Sequence, residues 1–449
     1  MSTPVAGLIA GVKATWANPS RRNLALTVGA GLLVQLMLVI TGPFLARLLG
    51  PAGRGDLAAL MLWPVVLVQL GGLGIPAALT YFLSRGARRD ETMRRALGFA
   101  AAQAAVLIAL QVLVVLLVFD DRGAAVRDAA LLTIAAVPGL LAHEYGLAVL
   151  QSRSDLRRFN VLRVLPTTLF MIAVIVLFLT SAGLVAVTLS WVAAATSVGA
   201  ITFTLAFTRR AAVSDGDEPA PRAPGLLSFG LRGILSANSA TDIIRPEQIA
   251  LVLFLPSRAL GLYVVALAIT NLPYFIAKAV GLVAFPAVAR QGEPGAARRV
   301  AWRYLWIIAA VAGAIVAFLL LTASVLIPLF FGEEFRRSVE LAYILLGGAF
   351  FTAVRRVGAE CMRGRGQPGA GTTAEIVAIV WLVGGLAILV PTVGLTGVAV
   401  ALATSQLASL LLLSLIAARR GELHGADAAA TLRAGLAGLA PAWARYRRR

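Results

Sequence analysis

Asn238, Asp242 and Arg245 stand at i, i+4 and i+7 in one apolar segment, and Asn271, Tyr274 and Lys278 at i, i+3 and i+7 in the next. On continuous helices each set shares one face. An arginine binds phosphate or carboxylate through two parallel donors and a lysine adds a compact positive charge, so Arg245 and Lys278 are candidates to hold an anionic ligand. Arg232, Asn238 and Asn271 would extend the polar lining, and Asp242 and Glu247 are candidate carboxylates for coupling to H⁺ or Na⁺. Pro246 has no amide proton and crowds the turn before it, so the helix should bend there and free backbone groups. A plainer reading pairs Asp242 with Arg245 as a buried structural ion pair. Glu247 points away from Arg245, however, and Lys278 has no acid within a turn of its own helix, so both need partners across a cavity.

The elements that must position these residues are apolar throughout. A helix needs about 20 mostly apolar residues to cross roughly 30 Å of hydrocarbon, and the chain offers about twelve such segments, from 24–49 to 395–418. The two polar faces fall in the seventh, 226–255, and the eighth, 260–289. With 59% hydrophobic residues, 14% charged residues and a mean hydropathy of +0.87, a soluble fold would lack polar surface. The fold class is therefore an all-α polytopic membrane protein. Gln35 and Gln69 add polar groups to the first two spans, and Gly42, Pro43, Pro64, Gly71, Gly72, Gly74 and Pro76 should loosen those helices for movement.

Charge sets the topology. Roughly three quarters of the 40 Lys and Arg fall in the N-terminus, alternate connectors and C-terminus, which places both termini in the cytoplasm. The net charge of +19 is thus a topology signal, and a nucleic-acid partner would need a soluble basic surface with stacking aromatics that this chain does not offer. Residues 1–23 form a cytoplasmic N-terminus without a convincing cleavage site, so the first span should act as an uncleaved insertion signal. Two lobes, 24–210 and 226–418, hold six spans each in the same orientation, a parallel repeat joined by a polar linker at 211–225. The basic tail, 419–449, ends in Arg445, Tyr446, Arg447, Arg448 and Arg449 and should meet anionic headgroups.

Chemistry of other kinds finds little footing. Cys361 is alone, and His143 and His424 cannot form a histidine metal cluster, so neither a metal nor a cofactor is expected. Asp215, Gly216 and Asp217 match a metal-nucleotide motif only inside the solvated linker. Residues 364–369 match a dinucleotide fingerprint by letters but lie in a short turn between spans. His143 and Glu144 lack the second histidine of a zinc protease. Glu144, Glu360 and Glu375 lie near cytoplasmic ends beside Arg153, Arg355, Arg356 and Arg363, where they should pair at the interface. No expected outer connector exceeds about a dozen residues, which leaves no extracytoplasmic domain for an enzyme site.

Ordered segments across almost the whole chain resemble the polysaccharide-unit (Wzx-type) flippases of the multidrug/oligosaccharidyl-lipid/polysaccharide (MOP) superfamily. They are ARLLGPAGRGDLAAL at 46–60 with the following 72–74, RPEQIALVLFLPSRALGLYVVA at 245–266, Phe285 and Pro286, LFFGEEF at 329–335, and VPTVGLTGVA at 390–399. The resemblance implies two six-helix lobes around a central cavity that opens alternately to either side of a bacterial inner membrane. Its implied substrate is a polyprenyl-pyrophosphate-linked oligosaccharide, delivered to polymerase or export machinery. The family has no strict catalytic motif to carry over, and Glu247 stands where many relatives have Asp. An organic-cation antiporter of the same superfamily would want a net acidic cavity, whereas Arg232, Arg245 and Lys278 outnumber Asp242 and Glu247. A polyprenyl-dependent glycosyltransferase or polymerase is the third reading.

Overall fold

The computed structural model describes residues 19–85, 89–208, 225–237 and 240–421 together with 429 and 433; of these, the side chains of 19–25, 89 and 232–240 are excepted. Every regular element among them is helical. The helices are α1 (Pro19–Gly71), α2 (Ile75–Ser84), α3 (Arg89–Val118), α4 (Ala124–Thr133), α5 (Ala136–Ser152), α6 (Leu156–Leu179), α7 (Leu184–Thr208) and α8 (Leu226–Ala237). They continue as α9 (Ala240–Ile244), α10 (Pro246–Phe254), α11 (Ser257–Thr270), α12 (Leu272–Ala289), α13 (Pro294–Phe331), α14 (Ser338–Gly364), α15 (Pro368–Val393) and α16 (Leu395–Arg419).

Ten helical stretches among the described residues are long and apolar enough to cross a membrane. The first of them joins two spans, because Gly50 at φ 64° interrupts α1 in a conformation that costs glycine little. The expected seventh span is not among the ten: 238–239 lie outside the described residues, and the helix breaks at Arg245 before α10. Counting both, each of the twelve expected segments is helical. Leu321, Leu179 and Leu117 are 82%, 77% and 75% exposed, which makes sense only where the solvent is hydrocarbon.

The chain forms two compact units, 1–237 and 238–449. Most of the expected linker, 211–225, and most of the basic tail lie outside the described residues, as do Asp215 to Asp217.

In the N-terminal unit α5 packs along α7. A Cβ on Gly199 would stand 2.1 Å from the Gly139 carbonyl oxygen, so only small residues let these backbones meet. The α1–α2 break at Gly72 to Gly74 is covered by a neutral chain: Tyr145 donates its hydroxyl to Gln103 Oε1 (2.7 Å), and Gln103 Nε2 donates to the Gly72 carbonyl (3.3 Å). Gln111 likewise donates to Thr133 (2.8 Å). Buried backbone breaks survive in lipid when protein groups satisfy them in this way.

In the C-terminal unit α14 is central, packing on α12, α13 and α16. Ala277, Ala284, Ile308, Val357 and Cys361 form its core. Residues 364–369 are the tight α14–α15 turn, with Gly366 at φ 78°, and carry no βαβ unit.

Candidate functional site

Arg245 lies between α9 and α10 in the left-handed region, φ 49° and ψ 54°. A side chain there costs roughly 1–2 kcal/mol, and glycine is the usual occupant. The local geometry follows from Pro246: proline suits the first position of a helix, and the residue before it is pushed out of helical backbone. The Arg245 amide donates to the Thr241 carbonyl (3.0 Å) and closes α9, while its own carbonyl accepts from Gln248 (3.0 Å) and Ile249 (3.1 Å) and opens α10.

This break resets the helical phase, so Asp242 and Arg245 do not pair as side chains. Arg245 Nε instead donates to the Asp242 main-chain carbonyl (3.4 Å). The Asp242 carboxylate turns to other helices. It accepts a short hydrogen bond from the Tyr274 hydroxyl of α12 and lies 3.9 Å from Arg356 of α14. Arg356 also donates to the Tyr274 hydroxyl (3.2 Å), with its guanidinium carbon 5.0 Å from the ring centroid. Lys278, one turn beyond Tyr274, places its ammonium 5.3 Å from the same ring. Tyr274 is thus flanked by two cations and tied to one carboxylate. Cations beside an aromatic face gain about 0.5–2 kcal/mol, more as water is excluded.

Behind this cluster lies a second pair. Arg355 meets Glu375 of α15 at 2.5 Å, and Glu375 Oε1 also accepts from the Thr241 hydroxyl at 2.6 Å. Both charged side chains are buried, where the sequence reading has them reaching the interface; burial in the helix packing overrides their position in the sequence. Arg355 stands nine residues before the end of α14, roughly 13 Å deep at the helical rise, and that depth was the available signal. Of the other two acids expected at the interface, Glu360 pairs locally, with Arg363 at 2.7 Å.

Of the remaining predicted residues, Glu247 is buried in α10, with Gln248 Nε2 at 3.4 Å from its carboxylate, and Asn271 joins α11 to α12. Asn238 and the side chain of Arg232 lie outside the described residues. Gln35 is half-buried and Gln69 exposed, both on α1 in the N-terminal unit. The structure therefore brings Asp242, Tyr274 and Lys278 together, adds Arg356, and keeps Arg245 beside them through backbone.

A family model described as "Polysaccharide biosynthesis protein" matches residues 44–340. Curated proteins give no match by sequence. Among solved structures, the fold is similar to an inward-facing multidrug resistance MATE family transporter of the MOP superfamily. That match has 17% identity, 86% of this chain and 94% of that chain covered, and a TM-score of 0.66. It is also similar to lipid II flippase MurJ in an inward closed conformation, at 11% identity, 86% of each chain and a TM-score of 0.68. A eukaryotic MATE transporter, AtDTX14, follows at 15% identity, 88% and 94% coverage and a TM-score of 0.57. With a family match over most of its length, the chain belongs to the polysaccharide biosynthesis protein family, and its membrane-spanning helices adopt a fold similar to those of the MATE transporters and MurJ.

Proposed function

We propose that the chain carries a polyprenyl-pyrophosphate-linked oligosaccharide from the cytoplasmic to the outer leaflet of a bacterial inner membrane, by alternating access, for assembly of a surface polysaccharide. The observation that carries this reading is the cluster of Lys278, Arg356 and Tyr274 with Asp242, set within membrane-spanning helices. A glycan and a pyrophosphate cannot cross hydrocarbon unaided, since each unpaired polar group costs several kcal/mol. Cations beside Tyr274 offset that cost for a pyrophosphate, and Arg245 stands next to them to reach the same anion. The remaining lining would come from Asn271, Arg232, Asn238, Gln35 and Gln69. Asp242 and Glu247 are the groups through which H⁺ or Na⁺ would couple, with Asp242 exchanging its Tyr274 and Arg356 contacts for the ion.

The test is transbilayer movement of a fluorescent polyprenyl-pyrophosphate oligosaccharide in proteoliposomes. The parent moves the lipid, while Lys278→Ala and Arg356→Ala, matched for abundance and fold, lose at least tenfold in rate. Export of organic cations by the parent, with no movement of several lipid-linked glycans, would overturn the reading in favour of an antiporter.

A further inference from the structure

The C-terminal unit has a cavity that shares no residue with the Tyr274 cluster. It lies between α13, α14 and α16, encloses about 250 Å³ and is walled by Leu305, Ala309, Val354, Leu410 and Leu413, with Gly358 leaving room on α14. That volume is just under the roughly 300–1,000 Å³ of sites that enclose whole small molecules, so it suits part of a chain and excludes a glycan. One end is polar. Arg365, just past the last turn of α14, lines it, and Arg298 approaches from the start of α13. Burial and then the neighbouring Arg298 charge lower the Arg365 pKa. Trp302 also lines this end, and its indole Nε1 is buried without a hydrogen-bond partner.

An apolar cleft that ends in the Arg365 guanidinium, with the Arg298 charge close enough to act on it, and in an indole donor is complementary to an amphiphile with one hydrocarbon chain and an anionic head. The start of α13 and the end of α14 belong to the arginine-rich side of the chain, where anionic phospholipid is the abundant molecule of that kind, and basic pockets between helices on that side bind such headgroups. We propose that this groove holds one acyl chain of an anionic phospholipid, with its phosphate facing Arg298 and Arg365 and a head-region oxygen accepting the Trp302 proton. The bound lipid would brace α14, the helix that carries Arg355 and Arg356.

Native mass spectrometry of the full chain, released from micelles with phosphatidylglycerol or phosphatidylcholine, tests this. Phosphatidylglycerol should be retained at least fivefold more than phosphatidylcholine, and Arg365→Gln should cut that ratio roughly fivefold, the effect expected of one arginine at a lipid surface. Gly358→Leu fills the cavity and should lose both adducts; if it fails to fold, Ala309→Leu serves the same end. Equal retention of the two lipids, or a preference unchanged in both Arg365→Gln and Arg298→Gln, would overturn the proposal. Displacement of phosphatidylglycerol by an equimolar polyprenyl pyrophosphate would overturn it too, by assigning the groove to a different amphiphile.

Discussion

The two units solve one problem with different chemistry. Both interrupt a membrane-spanning segment, at Gly72 to Gly74 in the N-terminal unit and at Arg245 in the C-terminal unit. The first break is satisfied by neutral groups, Gln103 and Tyr145, and carries Leu73 (φ 49°) and Gly74 (φ 67°) in left-handed backbone. The second places an arginine in that conformation and gathers Asp242, Arg356, Lys278 and the Arg355–Glu375 pair around it. Among the described residues the polar residues buried as a whole in the N-terminal unit are neutral, although Arg54 tucks its Nε inside without a hydrogen-bond partner, whereas those of the C-terminal unit include Glu247, Arg355 and Glu375. Neutral bonds hold an architecture at little electrostatic cost. Charges in hydrocarbon are expensive, and their usual place is a path for a charged substrate. The difference teaches that neutral bonds alone can hold an interrupted span, so the charges gathered at the Arg245 break call for a reason beyond architecture.

The largest expected effect that probes this contrast is structural. Arg355→Ala leaves Glu375 charged and buried, so unfolding in detergent should show a loss of about 3–5 kcal/mol, whereas Arg355→Met with Glu375→Leu should recover most of it. Recovery in the double variant would mark the pair as packing; a folded double variant without transport would place it in the mechanism. Gln111→Ala in the N-terminal unit should cost only about 0.6 kcal/mol, the typical worth of a helix-to-helix hydrogen bond in a membrane protein, with the transport rate unchanged. A tenfold rate loss there would erase the distinction between the units. Arg245→Gly relieves left-handed strain and should raise stability by up to ~1 kcal/mol while slowing transport, a split that thermal unfolding and flux measure separately. The smallest effect lies in the outer connector. Arg336 bonds Glu333 (2.9 Å) and holds its carboxyl below the usual 4.5. A depressed carboxyl contributes above its unfolded pKa and loses that contribution only as pH falls through the folded value. Because the pair is exposed, Glu333→Gln should leave both stability and transport unchanged at neutral pH.

Much of the fold was legible in the residues. Apolar length alone placed the helices, because hydrocarbon admits few other spanning structures, and Pro246 announced a break. The phase across that break was not legible. The i, i+4, i+7 face from Asn238 to Arg245 assumes an unbroken helix, and one left-handed residue redirects Asp242 from Arg245 towards Tyr274 and Arg356. Nor could spacing join Asp242 to α14, since helices distant in the chain meet through packing of small residues that carries no local periodicity. Lys278 and Tyr274 were legible as one face because α12 runs continuously from Leu272 to Ala289.

The central claim is that the cations beside Tyr274 recognise a pyrophosphate. Its most direct test is the affinity of a polyprenyl-pyrophosphate oligosaccharide for the purified parent, for Lys278→Ala and Arg356→Ala, and for Gln111→Ala in the N-terminal unit. A lost hydrogen bond to a charged group is worth about 1.5–3 kcal/mol, so each charge variant should bind roughly 10- to 100-fold more weakly, and Gln111→Ala within about threefold of the parent. Unchanged affinity in both charge variants, with the protein folded, would contradict the account.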